Sequence, residues 1–252
     1  MYQEERLMAI IEHLKEQKRI SVEEICQLFG VSRDTARRDL VSLEEQGAII
    51  RTRGGALLPQ FHEQIKPYNQ RLETFSEEKR KIGQVGASLI RSGDYILLDA
   101  STTVQACAEA ITIPCTVVTN SIHQATLLTS NPSSIHVHLL GGILEKEHFF
   151  LYGPSVKESL SHFFVDRAFL GVVGISEHGF TVAHEGDGAV MKEMIKQAKQ
   201  VIILADASKF NQTSFYRFAG FEDIDLLITN EEPPNAIKEK LTDANVELMI
   251  VS

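Results

Sequence analysis

Apolar residues recur every three to four positions through the first sixty residues, whereas beyond residue 76 they gather in short continuous runs. The first pattern is that of helices with one buried stripe, the second that of strands buried on both faces. From Glu5 to Gln17 the apolar set is Leu7, Met8, Ile10, Ile11 and Leu14, which predicts an amphipathic helix with these residues inside. Ser21-Val22-Glu23-Glu24 is a capping box, with Ser21 as cap and Glu24 reaching back. The helix it opens runs through Ile25, Leu28 and Phe29 and ends at Gly30. Ser32 caps a third helix whose inner face is Ala36, Leu40 and Leu43 and which Gly47 closes. Ala48-Ile49-Ile50 then leads into Arg51-Thr52-Arg53-Gly54-Gly55-Ala56, a basic, glycine-paired turn that predicts a short hairpin.

The stretch 59–75 carries Pro59 and Pro67 and reads as a linker that packs in part, through Phe61, Ile65, Tyr68 and Leu72. Ser76-Glu77-Glu78-Lys79 starts a helix by its cap, with Ile82, Val85, Gly86 and Leu89 inside. Beyond it, strands are predicted at Tyr95–Leu98, Thr116–Thr119, Ile135–Leu140, Ala168–Val173, Val201–Ala205, Leu226–Thr229 and Leu248–Val251. Helical stretches lie between several of them, at Thr103–Ala110, Ser121–Thr129, Ser155–Phe163, Ala189–Gln200 and Asn235–Leu241. The fold class is therefore α/β: a small helical unit over 1–58, the linker, and a mostly parallel, Rossmann-like α/β domain over 76–252.

The totals fit this division. At 252 residues, 43% hydrophobic, the chain has length for about two domains and apolar content for a core. No apolar run approaches the roughly 18 residues of a membrane span, and the first residues lack a signal-peptide pattern. A cytoplasmic location and no membrane partner are expected. Cys26, Cys107 and Cys115 are scattered, which argues against a disulfide framework or a zinc site. No metal and no cofactor are expected.

A net charge of −9 is unexpected for a nucleic-acid reader, but contact is decided by local charge. Between Gly30 and Leu58 stand Arg33, Arg37, Arg38, Arg51 and Arg53 and no lysine. The acids after Asp34 are expected on the solvent or partner side. A capped second helix, a three-residue turn and an arginine-bearing third helix form a helix-turn-helix, and the basic hairpin makes it a winged one. Such a third helix suits the major groove of duplex DNA. The expected groove contacts are Ser32, Arg33, Thr35, Arg37 and Arg38, with Arg51 and Arg53 on the backbone. One short helix reads few base pairs, so a homo-oligomer, dimer or tetramer, is expected.

This stretch resembles the N-terminal domain of the DeoR family of bacterial transcription regulators. The family's pattern appears as Ser32, Thr35, Arg37-Arg38-Asp39-Leu40, Leu43-Glu44, Gly47, Arg51 and Gly54-Gly55, with Ala36 in place of the more usual isoleucine.

In the large domain, small, hydroxyl-bearing and charged residues follow the strands, where open α/β sheets bind ligands. Ser101, Thr102 and Thr103 open a helix, so free N–H groups and hydroxyls converge there on an anion. Asp99 and Asp206 are candidate acceptors for sugar hydroxyls, and Asn120 both donates and accepts. Lys209 supplies a point charge, and Gly141-Gly142 permits close backbone approach. Each is also an ordinary cap or turn taken singly. Asp99-Ala100-Ser101-Thr102-Thr103, Thr119-Asn120, Gly141-Gly142, Phe169-Leu170-Gly171 and Asp206-Ala207-Ser208-Lys209-Phe210 are similar to the DeoR-family effector domain. The resemblance implies a sugar-phosphate-isomerase-like scaffold and a phosphorylated sugar as effector. Two departures stand out: Ala100 replaces a glycine, and Ala189-Val190-Met191 replaces the family's Glu-Val-Lys, which removes two charges near the expected pocket.

His136 and His138 share one strand face without a third metal ligand, whereas His184-Glu185 with Asp187 is a candidate pocket wall. Glu222, Asp223 and Asp225 read as a solvated turn. The leading expectation is a DNA-binding regulator, a repressor of a carbohydrate catabolism operon, controlled by a phosphorylated sugar. The alternative is a sugar-phosphate isomerase-type enzyme with a DNA module; it needs a carboxylate base, and no glutamate is obviously placed for that.

Overall fold

The computed structural model describes residues 3–17, 19–45, 49–52, 54–57, 68 and 77–251. The expectations for Gly47, Arg53, Ser76 and the linker apart from Tyr68 lie outside the described residues. The chain divides into two units, Met1–His62 and Glu63–Ser252.

In the first unit the order is α1 (Gln3–Gln17), β1 (Arg19–Ser21), α2 (Val22–Phe29), α3 (Arg33–Glu45), β2 (Ile50–Thr52) and β3 (Gly55–Leu57). The capping box of α2 is formed: Glu24 N–H donates to Ser21 Oγ at 3.1 Å and Ser21 N–H to Glu24 Oε2 at 2.7 Å. Gly30 ends that helix at φ +62°, a left-handed conformation that suits glycine. Ile10, Leu14, Ile25, Ala36, Leu40 and Leu43 meet in one core. Two expected core positions are not in it. Met8 is 69% exposed and Leu28 is 55% exposed, so the buried stripe of α1 is narrower than the apolar count implies. The hairpin β2–β3 is present, with Arg51 opposite Ala56, and it gains a third strand through β1, which pairs with β3. Gly55 is required there, because a Cβ would strike the Ile20 carbonyl.

The second unit carries α4 (Glu77–Ser88), β4 (Tyr95–Leu98), α5 (Thr102–Glu109), β5 (Cys115–Thr119), α6 (Ile122–Thr129), β6 (Ile135–Leu139), β7 (Ile143–Glu145), β8 (Phe150–Tyr152) and α7 (Pro154–Leu160). It continues with β9 (Val165–Gly171), β10 (Gly174–Ser176), β11 (Gly179–Val182), α8 (Glu185–Gln197), β12 (Ala198–Leu204), β13 (Tyr216–Ala219), β14 (Leu226–Thr229), α9 (Asn235–Asp243) and β15 (Glu247–Ile250). Seven strands form one sheet in the order β15-β14-β12-β9-β4-β5-β6, every neighbouring pair parallel. The strands expected from the apolar runs are these seven.

Successive residues of the central strands enter opposite cores. Leu97, Ala168, Leu170 and Ile203 pack with α7, α8 and α9, while Ile96, Leu98, Phe169 and Ile202 pack with α4, α5 and α6. A strand buried on both faces must be apolar at every position, hence the continuous runs. The chain lays β4, β5 and β6 outward in one direction, then returns to place β9, β12, β14 and β15 on the other side of β4. The switch point of the sheet therefore lies between β4 and β9, which is where open α/β sheets leave a crevice.

Three features differ from expectation. The helix expected at Ala189–Gln200 starts at Glu185 and ends at Gln197, and β12 begins at once. Val190 and Met191 are buried core residues on that helix and do not line the cleft described below, so the departure at Ala189-Val190-Met191 is a core feature. Two antiparallel additions, β7–β8 and β10–β11–β13, were not anticipated.

Candidate functional sites

The arginines of the first unit are not equivalent. Ser32 Oγ accepts from Thr35 N–H at 3.2 Å and lies 3.0 Å from Thr35 Oγ1, so both hydroxyls serve the start of α3. Asp39 is fully buried, contrary to the solvent or partner position expected for it. Arg6 reaches it with two hydrogen bonds, Nε to Oδ2 at 2.6 Å and Nη2 to Oδ1 at 3.1 Å. This pair ties α1 to α3. Arg33 pairs with Glu23 at 2.8 Å, and Arg51 with Glu44 at 3.3 Å, all four side chains being exposed. Arg37 and Arg38 are exposed and make no ion pair among the described residues. They are a pair of adjacent guanidinium groups with free hydrogen-bonding capacity. Arg53 lies outside the described residues.

At the switch point of the second unit lies a cleft of about 50 Å³. Its lining comes from the end of β4 (Asp99, Ala100, Ser101), the end of β9 (Gly171, with Val172 and Val173 beyond), and the entry to α8 (Val182, Ala183, His184, Asp187), and is closed by His148 and Phe150. Two helix N-termini open on it. Ser101 caps α5, its hydroxyl accepting from Val104 N–H at 3.2 Å, and His184 caps α8, its Nδ1 accepting from Gly186 N–H at 3.1 Å. That bond leaves the His184 proton on Nε2, which stands 3.6 Å from Glu145 Oε2. Both helix dipoles present their positive ends here, and no lysine or arginine lines the cleft among the described residues.

Asp99 is a positioning group rather than a free acceptor. Its two oxygens accept from Ser101 N–H at 2.8 Å and Gly171 N–H at 2.7 Å, which holds the ends of β4 and β9 together. A Cβ at Gly171 would collide with the Ser101 side chain, so glycine is needed for this approach. Thr102 and Thr103 are buried and do not line the cleft; they are the first residues of α5, whose N–H groups have no partner within the helix.

The structure does not bring the other expected residues to this cleft. Asn120 is buried and its amide donates to Leu151 O at 3.0 Å, fastening β5 to β8. Gly142 packs against Val156 and the Tyr152 carbonyl, while Gly141 has open space around it. Asp206 caps the short turn before Phe210, accepting from Ser208 N–H at 3.1 Å, and Lys209 belongs to that turn. Of the His184-Glu185-Asp187 group, His184 and Asp187 line the cleft and Glu185 does not. Sequence reasoning missed His148 and Phe150 entirely, and only the similarity of Phe169-Leu170-Gly171 pointed towards Gly171.

Elsewhere, Asp223 and Asp225 are engaged as acceptors from Gly220 N–H and Val201 N–H, both at 2.7 Å. No cluster of metal-binding side chains occurs among the described residues. Burial pushes both the Cys107 and Cys115 thiols up, Cys115 to about 11 with help from Asp94, which favours the protonated thiol at both. No described helix is long and apolar enough to cross a membrane.

A winged helix-turn-helix followed along the chain by an α/β domain with a cleft at its switch point is the domain order of a transcription regulator. Residues 6–61 match the DeoR-like helix-turn-helix domain, and residues 74–231 match the DeoR C-terminal sensor domain. The chain belongs to the DeoR family of transcription regulators. It is 60% identical to the HTH-type transcriptional repressor GlcR of Bacillus subtilis (strain 168) over 251 residues, covering 99% of this chain and 97% of that protein. It is 31% identical to the glycerol-3-phosphate regulon repressor of Escherichia coli (strain K12), covering 98% and 99%. Ribose 5-phosphate isomerase A of Neisseria gonorrhoeae aligns over 52% of each chain at 16% identity and a TM-score of 0.39. That likeness is too distant to assign a function. The chain is a regulator, and the isomerase alternative is set aside.

Proposed function

We propose that this protein is a cytoplasmic repressor of a carbohydrate catabolism operon that binds double-stranded operator DNA as a homo-oligomer, dimer or tetramer. A phosphorylated sugar or related intermediate in the switch-point cleft changes its grip on that DNA. The observation that carries this reading is the exposed Arg37–Arg38 pair on α3, free of the ion pairs that hold Arg33 and Arg51. Arg37 and Arg38 make the first contacts. Ser32, Thr35 and Arg33 follow at the helix start, and Arg51 and Arg53 meet the backbone, with Arg33 and Arg51 exchanging a carboxylate for phosphate.

The effector reading rests on the two helix N-termini, which favour a negative group. A volume of about 50 Å³ admits a phosphate, and the polyol part of the ligand extends through the mouth. Ser101, the backbone of Thr102 and Thr103, His148 and His184 are the proposed contacts, with Asp99 holding the loop. Asn120, Gly141, Gly142, Asp206 and Lys209 shape the same sheet edge from outside the cleft. The names of the two relatives, a repressor and a glycerol-3-phosphate regulon repressor, are compatible with this class.

The test is a titration of the full chain against duplex DNA from upstream of its own gene, with and without a panel of hexose, pentose and triose phosphates. The reading expects retarded DNA that at least one phosphate ester shifts and its unphosphorylated sugar does not. DNA binding indifferent to every ester refutes the effector half, and no binding refutes the whole.

A further inference from the structure

Tyr68 stands in the segment between the two sequence-matched domains, yet it is completely buried in the second unit. Its ring stacks on His123 at 4.5 Å and 9°, its hydroxyl bonds Gln105, and its N–H donates to Glu147 O at 3.0 Å. His123 in turn meets the ring of Phe149 at 4.5 Å, edge on. Its Nε2 is buried without a hydrogen-bond partner among the described residues, and burial pushes its imidazole below the ordinary range. A buried donor or acceptor left unmatched is costly, so this ring sits in a place that does not satisfy it.

The turn that receives Tyr68 is the turn that walls the cleft. Within Glu145–Phe150, Glu147 and Phe149 face Tyr68 and His123, whereas His148 and Phe150 line the pocket and Glu145 stands beside His184. Phe149 sits at φ +55°, a conformation that a bulky side chain adopts only under constraint. A ligand that moves His148 or Phe150 must therefore turn a strained backbone whose other side grips Tyr68.

We propose that Tyr68 is a latch: occupancy of the cleft is passed, through the Glu145–Phe150 turn, to the chain that leads to the DNA-binding unit. This rests on the reading that the cleft takes a phosphorylated ligand. Coupling of this kind needs an element with two arrangements that both sites bias, and the strained turn is that element.

The chain has five tyrosines and no tryptophan, so 3-fluorotyrosine labelling of the full protein gives few ¹⁹F lines, and Tyr68→Phe assigns the one of interest. Tyr152, whose ring meets His184 at 4.9 Å, reports the cleft. On titration with inorganic phosphate, then mixed hexose and pentose phosphates, the Tyr68 and Tyr152 lines are expected to move with one midpoint. Movement of Tyr152 with Tyr68 fixed overturns the latch and leaves the ligand assignment intact. If neither line moves, the ligand reading fails, and the latch is then decided by His148→Ala, which must shift the Tyr68 line; an unmoved line overturns it.

Discussion

Asp39→Ala separates two charges that look alike in the run Arg37-Arg38-Asp39. Asp39 is fully buried and accepts two hydrogen bonds from the buried Arg6 guanidinium, so its removal takes the carboxylate away from a buried cation. Breaking a buried pair from one side costs about 3–5 kcal/mol. The first unit, Met1–His62, has a total stability of only about 3–9 kcal/mol at the usual 0.05–0.15 kcal/mol per residue. The substitution therefore removes much or all of its stability. The sheet of the second unit contains neither partner and keeps its own.

Native-state hydrogen exchange on the full chain reads both units at once. Peptides from α1–α3 are expected to lose about two to four powers of ten of protection, since 1.4 kcal/mol is a factor of ten. Peptides from β4, β9 and β12 are expected to be unchanged. Arg38→Ala, one residue away and exposed, is expected to stay within about 0.5 kcal/mol of the parent. The pair Arg6→Met with Asp39→Leu is expected to recover most of the loss, because a buried ion pair is replaceable by apolar packing. Protection in α1–α3 that survives Asp39→Ala within a factor of about five refutes the reasoning, for the pair is then not what ties α1 to α3.

Other outcomes follow from particular contacts. Gly171→Ala drives a Cβ into Ser101, so a loss of about 1–3 kcal/mol in thermal unfolding and loss of ligand-induced stabilisation are expected together. Ser21→Ala removes the acceptor of the α2 capping box and is expected to cost about 1 kcal/mol, read by exchange in the first unit alone. The His123 imidazole has a folded pKa below its unfolded one, so the unfolded chain takes up the proton first as pH falls. Its contribution is fully present above the unfolded value of about 6.5 and is lost as pH falls from there towards the folded value, with a slope of at most about 1.4 kcal/mol per pH unit. Melting curves of the parent and of His123→Gln are expected to converge across that window; parallel curves contradict the assignment.

The inner strands of the sheet were legible because a parallel strand buried on both faces must be apolar at every step, while the edge strands β6 and β15 are partly exposed. Ile96–Leu98 and Leu226–Ile228 carry that signature. The antiparallel additions were not. β7, β8 and β10 are three residues each, too short for alternation to show. That blindness extended to the cleft, since His148 and Phe150 reach it from the β7–β8 turn. Asp99 and Ser101 line the cleft because a cap after a strand lies at the sheet's C-terminal edge, whereas the carboxylate of Asp206 closes a local turn outside it. Asp39 was misread because a charge on a helix is exposed by default, and its partner Arg6 lies 33 residues away.

The salt dependence of operator binding tests the central claim most directly. Full-length protein is titrated against its upstream duplex at several salt concentrations, as the parent and as Arg37→Ala with Arg38→Ala. The account predicts tight binding by the parent with a steep salt slope. In the variant the slope is shallower by about 0.9 for each phosphate that a protomer no longer neutralises, and the preference for the specific sequence is weaker. A variant with the same slope and the same sequence preference as the parent contradicts it.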